Sequence, residues 1–192
     1  VLIHISTDYV FDGKKNGWYT EDDEPSPTGV YGLTKRAGEL AALSAPRAIV
    51  LRTSWVYGAL QPNFVLTMRR LAAERDQLGV VADQFGCPTA AVDIASAIST
   101  IVSSGLDHHG TFHLAAPDDA SWWDLARETI GMMEPARSPR LDKLTTEQYP
   151  TPAARPANSR LASNRIADSY GIRLRPWRDA LAEVSDELNA GT

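Results

Sequence analysis

At 192 residues the chain is long enough for one good core, or for one core and a small lobe. Its 43% hydrophobic and 22% charged residues are those of an ordinary globular protein, and no apolar run approaches the ~18 residues that a membrane span needs. A net charge of −5, with 19 scattered Lys and Arg, argues against a nucleic-acid surface, and a single cysteine, Cys87, leaves no internal disulfide.

The chain opens at Val1 on an apolar run, Val1–Ser6, that reads as a β-strand. There is no starting Met and no signal-peptide pattern, so the expectation is that a further segment precedes this strand. Helix periodicity follows over Tyr31–Leu43, then a strand over Ala48–Thr53, a helix over Asn63–Asp76 and a strand over Gly79–Ala82. A helix over Ala91–Ser103, a strand over Thr111–Leu114 and a helix over Ser121–Met133 come next, with Ser121 suited to an N-cap. From Met133 to Ser159 the periodicity fades and five prolines punctuate the stretch, which reads as loop or as a small lobe over the sheet edge. A last helix spans Pro176–Asn189, with Pro176 fitting a first turn. Short apolar strands alternating with helices predict an α/β fold with a parallel sheet covered on both faces. Residues 1–132 are read as one α/β part and 133–192 mostly as a C-terminal lobe.

Tyr31-Gly32-Leu33-Thr34-Lys35 is a Tyr-x-x-x-Lys at the start of a predicted helix. An i, i+4 spacing puts both side chains on one helical face, about 5–6 Å apart at Cβ. A free tyrosine, with a pKa of ~10, is a poor acid near neutrality, and a neighbouring ammonium makes it a better one. Such a pair can pass a proton to or from a carbonyl oxygen, although the same spacing also describes a packed Tyr beside a solvated Lys. Upstream, Ser6-Thr7-Asp8-Tyr9-Val10-Phe11-Asp12-Gly13 follows the first strand directly. Ligands of open parallel sheets bind beyond the carboxyl ends of the strands, where a hydroxyl can help to polarise a carbonyl; an ordinary side-chain-capped turn would use the same residues.

A strand-end Thr followed some two dozen residues later by a helical Tyr-x-x-x-Lys resembles the acid–base constellation of the short-chain dehydrogenase/reductase superfamily. Four strings narrow the resemblance: residues 6–13, Val-Tyr-Gly-Leu-Thr-Lys (30–35), Leu-Arg-Thr-Ser-Trp-Val-Tyr-Gly (51–58) and Asp-Gln-Phe-Gly-Cys-Pro-Thr (83–89). In order and spacing they are similar to the dTDP-4-dehydrorhamnose reductase family, as are Ser121-Trp122-Trp123 and Ala154-Arg155-Pro156-Ala157-Asn158-Ser159.

The resemblance implies a Rossmann-like doubly wound sheet, with residues 1–132 as part of a dinucleotide-binding domain with interleaved substrate segments and 133–192 mostly as a C-terminal substrate lobe, and NADPH-dependent reduction of the C4 ketone of dTDP-4-dehydro-L-rhamnose to dTDP-L-rhamnose. NADH is the alternative donor, and a divalent metal stays open. It implies that Tyr31 protonates the C4 oxygen, that Lys35 supports it and holds the nicotinamide ribose, and that Thr7 hydrogen-bonds the carbonyl. Asp8, Tyr9 and Trp55 are implied at the sugar, and Asn63 with the Gln84–Thr89 loop near the nucleotide. A cytoplasmic enzyme with a dTDP-sugar substrate, a second copy of itself as a candidate partner, and no membrane or nucleic acid is the expectation. No Gly-x-Gly-x-x-Gly turn for a cofactor pyrophosphate occurs in the chain. Three βα units of ~30 residues each are expected before Val1, and the 192 residues alone are expected to be inactive.

Other segments are not promoted. Glu21–Glu24 lacks metal-site spacing, Asp107-His108-His109 lacks a further ligand pattern, and Cys87 lacks a catalytic His. His113 reads as packed in its strand, and Trp122–Trp123 as a helix anchor. Of the rivals, a related sugar-nucleotide 4-ketoreductase stays open, a sugar-nucleotide dehydratase needs an acid where Tyr9 stands, and a 4-epimerase fits the 6–13 string poorly. The non-catalytic regulatory subunit of methionine adenosyltransferase shares Asp-Tyr-Val-Phe-Asp-Gly but not the 51–58 and 83–89 strings.

Overall fold

A computed structural model describes residues 1–153 and 155–191. Ala154, which opens the Ala-Arg-Pro string, and Thr192 lie outside the described residues. The elements in order are β1 (Leu2–Thr7), a 3-10 turn (Asp8–Val10), α1 (Val30–Leu43), β2 (Ala48–Thr53), β3 (Val56–Tyr57), α2 (Phe64–Glu74), β4 (Gln77–Val81), β5 (Phe85–Gly86), β6 (Thr89–Ala90), α3 (Ala91–Ser103), β7 (Gly110–His113), β8 (Ala120–Ser121), α4 (Trp122–Gly131), β9 (Arg140–Leu144), β10 (Asn158–Ser159), α5 (Asn164–Tyr170) and α6 (Trp177–Ala190).

The main sheet is parallel, in the order β1-β2-β7. Central β2 is buried along its whole length because both of its faces are covered. Ile49 and Leu51 point into a cluster with Ile94, Ile101, Phe112 and Ile166, which seats α3 and α5 on one face. Arg52 points the other way, to Glu39 of α1. Helices on both faces of a parallel sheet are the doubly wound arrangement that the element pattern predicted.

β1 departs from the expectation of a strand buried on both faces. Leu2 and Ile5 are 44% and 38% exposed, so its faces are only partly covered, while in the sheet order it pairs with β2. The strand also runs one residue later than read, Leu2–Thr7, because its register with Ala48–Thr53 carries Thr7 opposite Thr53.

A second unit is built from α2, β4, α4 and β9. β4 and β9 pair in parallel from Gln77↔Arg140 to Val81↔Leu144. Ala72, Leu78, Ile130 and Met133 pack beneath them, and Met68, Val80 and Ala126 form a second cluster with Phe64 and Trp122. Gly79 fits within β4 because a Cβ there would lie 2.7 Å from Leu144 Cδ1. β9 lies inside the proline-rich stretch read as loop, since the short charged run Arg140-Leu141-Asp142-Lys143-Leu144 offers no clear alternation of its own. α5, seven residues ending on Gly171 at φ 67°, was likewise not expected. The residues beyond Met133 thus divide: β9 joins the second unit, α5 packs on the main sheet, and α6 places Trp177 and Leu181 in a core with Tyr57, Ala116 and Leu125.

The caps follow from sequence. Asn63 caps α2 through Leu66 N–H (3.2 Å). Ser121 and Asp124 form a reciprocal capping box at α4.

Candidate active site

The carboxyl end of β1 and the start of α1 meet through two close approaches. A Cβ on Gly32 would lie 2.1 Å from the Tyr9 carbonyl oxygen, so only glycine lets α1 lie this close to the 3-10 turn. That approach sets the Tyr31 ring edge-on to Tyr9, with centroids 5.5 Å apart. Lys35, one turn further on, donates its Nζ to the Ile5 carbonyl at 2.5 Å. Thr7, Tyr31 and Lys35 therefore gather at one end of β1, and Tyr31 remains 57% exposed.

Beneath this surface α1 is held by a buried ion pair. Glu39 accepts from Arg52 Nε and Nη2 at 2.8 Å each, from Ser6 Oγ at 2.5 Å and from Arg36 Nη1 at 2.9 Å. Burial pushes the Glu39 carboxyl up, but the bonds from Arg52 and Ser6 outweigh it and hold the group below the ordinary carboxylate range. The Arg52 guanidinium also lies over the Phe11 ring, at 5.1 Å.

Thr7 caps the 3-10 turn by accepting from Tyr9 N–H (3.2 Å), and its hydroxyl donates to Asp8 Oδ1 (2.9 Å). Asp8 is buried, and its Oδ2 makes no well-formed hydrogen bond. Burial pushes its carboxyl up to about 6, partly offset by the nearby Ser159 and Thr7 hydroxyls. Tyr9 is also pushed above the ordinary tyrosine value, first by burial and then by the Asp8 charge, while the Arg155 charge pulls the other way.

Tyr9 opens onto a cleft of about 470 Å³ formed mainly by α2, β4 and the start of α4. Its apolar wall is Phe64, Met68, Leu71, Val80 and Trp122; its polar groups are Tyr9, Gln84, Tyr149, Thr151 and Arg155. Gln84 is held from both ends, accepting from Trp122 Nε1 (3.1 Å) and donating to Thr146 Oγ1 (3.1 Å). Trp122 stacks flat on Trp55, with centroids 3.5 Å apart and planes at 7°. Trp55 has φ 48°, a left-handed conformation unusual for a bulky residue and of the kind that clusters at functional sites. Gly86 lies against the same indole, where a Cβ would approach within 2.4 Å.

The motif strings converge by direct contact. β5, from the 83–89 string, pairs with β10, from the 154–159 string, and with β8. Pro156 fills the space a side chain on Gly13 would need, at 2.3 Å, and Asn158 Nδ2 donates to the Lys15 and Gly17 carbonyls.

Of the expected site residues, Thr7, Asp8, Tyr9, Tyr31 and Lys35 lie together, Tyr9 and Gln84 line the cleft, and Trp55 supports it through Trp122. Two stand apart from the cleft lining. Asn63 spends its amide on capping α2 and on the Gly58 and Gln61 carbonyls. Thr89 is buried between the Cys87 carbonyl and Ala116 N–H. The sequence reading missed Arg155 as the cation of the cleft, although it stood in a flagged string, and missed Tyr149 and Thr151, which carry no local signal. Trp122, read as an anchor, both anchors α4 and forms cleft wall. His113 is packed, with burial holding its imidazole down to about 3, and burial pushes the Cys87 thiol up to about 12.

Residues 1–190 match the family model described as the RmlD substrate binding domain. The dTDP-4-dehydrorhamnose reductase of Sinorhizobium fredii is 46% identical over 187 residues, covering 93% of this chain and 63% of that protein. A probable dTDP-4,6-dihydroxy-2-methyloxan-3-one 4-ketoreductase of Streptomyces antibioticus is 40% identical over 190 residues, covering 98% of this chain and 64% of that protein. Among solved structures, dTDP-4-dehydrorhamnose reductase from Bacillus anthracis in complex with NADP superposes with a TM-score of 0.91 at 33% identity, over 97% of this chain and 65% of that one. The chain spans less than two thirds of the length of each of these three proteins.

Proposed function

The chain belongs to the RmlD substrate binding domain family, and from that premise we propose that it forms the active-site part of an NADPH-dependent reductase of a dTDP-4-keto-6-deoxysugar, dTDP-4-dehydrorhamnose in the first instance. The observation that carries the reading is the meeting of Thr7, Tyr31 and Lys35 at the end of β1, beside a mostly apolar cleft with Arg155 in its lining. Tyr31 and Lys35 suit the nicotinamide ribose: the Tyr31 side chain is exposed, and Lys35 has spent one of its three ammonium donors on Ile5. A bound nicotinamide cofactor supplies the hydride.

The remaining steps belong to the chain. Tyr31 gives its phenolic proton to the C4 oxygen as negative charge develops there, which is general acid catalysis. Lys35, fixed by the Ile5 carbonyl, lies one turn along the same helical face and stabilises the charge left on Tyr31. Thr7 hydrogen-bonds the reacting oxygen, Tyr9 and Trp122 flank the sugar and the adjoining cleft, and Arg155 meets the diphosphate. The second unit, α2, β4, α4 and β9, serves as the substrate lobe, interleaved in sequence with the sheet. Between the two named chemistries, the 4-ketoreductase of a rhamnose precursor has the more similar relative, at 46% against 40% identity. The setting we propose is cytoplasmic.

The test is Tyr31→Phe in the whole protein that carries these residues. Turnover of dTDP-4-dehydrorhamnose with NADPH is expected to fall by about 10²–10⁴-fold, with dTDP-sugar binding by calorimetry close to wild type. Turnover within threefold of wild type would overturn the assignment of Tyr31 as the acid.

A further inference from the structure

The bonds around Thr7 set a constraint that the proposed reduction has to meet. A hydroxyl has one proton and two lone pairs, and an ionised carboxylate only accepts. While Asp8 is ionised, the Thr7 proton is therefore committed to Asp8 Oδ1, at 2.9 Å. One lone pair is taken by Tyr9 N–H and one stays free. In this state Thr7 can accept from an alcohol, but it has nothing to donate to a ketone. The turn is capped by the Tyr9–Thr7 bond, and the Asp8 carboxyl is approached as well by the Asp8 and Tyr9 N–H groups and the Ser159 hydroxyl. The carboxyl is 4% exposed with Oδ2 poorly satisfied, a costly setting for a charge. A neutral Asp8 removes both problems. Its O–H donates to Thr7 Oγ1, which then accepts twice and has its own proton free for the substrate.

We propose that Asp8 is a positioning residue that sets which way the Thr7 hydroxyl points: neutral Asp8 turns the proton of Thr7 toward a carbonyl, and ionised Asp8 leaves Thr7 as an acceptor for an alcohol. The inference rests on the reductase reading above and adds to it a selection between the ketone and alcohol forms of one sugar. No proton leaves the Asp8–Thr7 pair during the reaction, because the proton placed on the C4 oxygen comes from Tyr31. The groups facing Asp8 are the Tyr9 phenol on its own turn, the Cys87 thiol between β5 and β6, and the Ser159 hydroxyl of β10. Asp118 and Asp119, near Cys87, are paired with Arg178 and Arg160, and the Arg155 charge acts on Tyr9. Burial keeps Tyr9 and Cys87 neutral through the working range, which leaves Asp8, held up to about 6, as the group that changes state there.

The experiment is the pH profile of kcat/KM for ketone reduction, from pH 5 to 8.5, in the whole protein. This parameter reports groups of the free enzyme. Wild type is expected to show a falling limb with an apparent pKa near that of Asp8, about tenfold between one pH unit below and one above it. Asp8→Asn, whose amide donates to Thr7 without titrating, is expected to lose that limb, and thermal unfolding reports that it is folded. Thr7→Ser is expected to keep the limb and Thr7→Val to lose it, a pair that decides the matter if the Asp8 variant does not fold. A folded Asp8→Asn with the wild-type limb, a limb surviving in Thr7→Val, or a wild-type profile without the limb would each overturn the proposal. Absence of ketone reduction by wild type at every pH would instead overturn the reductase reading on which it rests.

Discussion

Replacing Glu39 by Ala removes the carboxylate that receives four hydrogen bonds, two of them from Arg52. Arg52 is 2% exposed and its Nη1 has no hydrogen-bond partner among the described residues, so the cation left behind is buried without its counter-charge. Breaking a buried pair by removing one partner costs about 3–5 kcal/mol, because an uncompensated charge remains. The better helix propensity of Ala returns at most a few tenths of a kcal/mol. In a chain of this size each kcal/mol moves Tm by about 2–4 °C, so a fall of roughly 6–20 °C is expected by circular dichroism at pH 7. Glu39→Leu combined with Arg52→Met removes both charges and is expected to recover most of the loss, since an apolar replacement of a buried pair is often neutral or stabilising. The folded carboxyl sits below its ordinary value, so its contribution is complete above about pH 4.5, the unfolded value, and is lost as pH falls through the folded one. The double variant should lose that part of the acid limb. A drop below 1 kcal/mol in Glu39→Ala, or a double variant weaker than the single one, would refute the reasoning.

Gly32→Ala is expected to cost about 1–3 kcal/mol by urea unfolding and to lower turnover with it, because its Cβ meets the Tyr9 carbonyl and forces α1 away from the 3-10 turn. Arg155→Ala is expected to raise KM for the dTDP-sugar about 10–100-fold, the worth of a charge-assisted hydrogen bond of about 1.5–3 kcal/mol, and to leave folding stability within about 0.5 kcal/mol; an unchanged KM counts against the diphosphate assignment. Asp8→Asn is expected to stabilise the fold near pH 7. A folded carboxyl raised from 3.8 to about 6 costs nothing below pH 3.8, and the cost grows to about 3 kcal/mol above pH 6. Tm compared at pH 4 and pH 7.5 should therefore show the gain at the higher pH only.

Local patterns in the sequence determined the regular elements and their caps. Ala48–Thr53 and Ala91–Ser103 match the observed β2 and α3, because an apolar run and a three- and four-residue spacing are local signals. The same holds for Ser121, whose short polar side chain caps the helix that follows it. The strings around Thr7, Tyr31 and Lys35 were legible as chemistry because an i, i+4 pair and a strand-end hydroxyl are spacings along one chain. Tertiary structure alone decided what crosses between segments. β9 becomes a strand because β4 is there to pair with it, and its five residues hold too little pattern to announce it. Arg155 joins a cleft made by α2, β4 and α4, and Asn63 turns out to spend its amide on a helix end. Glu39 read as one more residue of a helix, but the parallel register of β1 and β2 sets Ser6 opposite Arg52 on the α1 face and makes it the buried centre of that contact. Contacts of this kind depend on residues 13 to more than 100 positions apart being brought within 3 Å, a distance that periodicity along the chain does not encode.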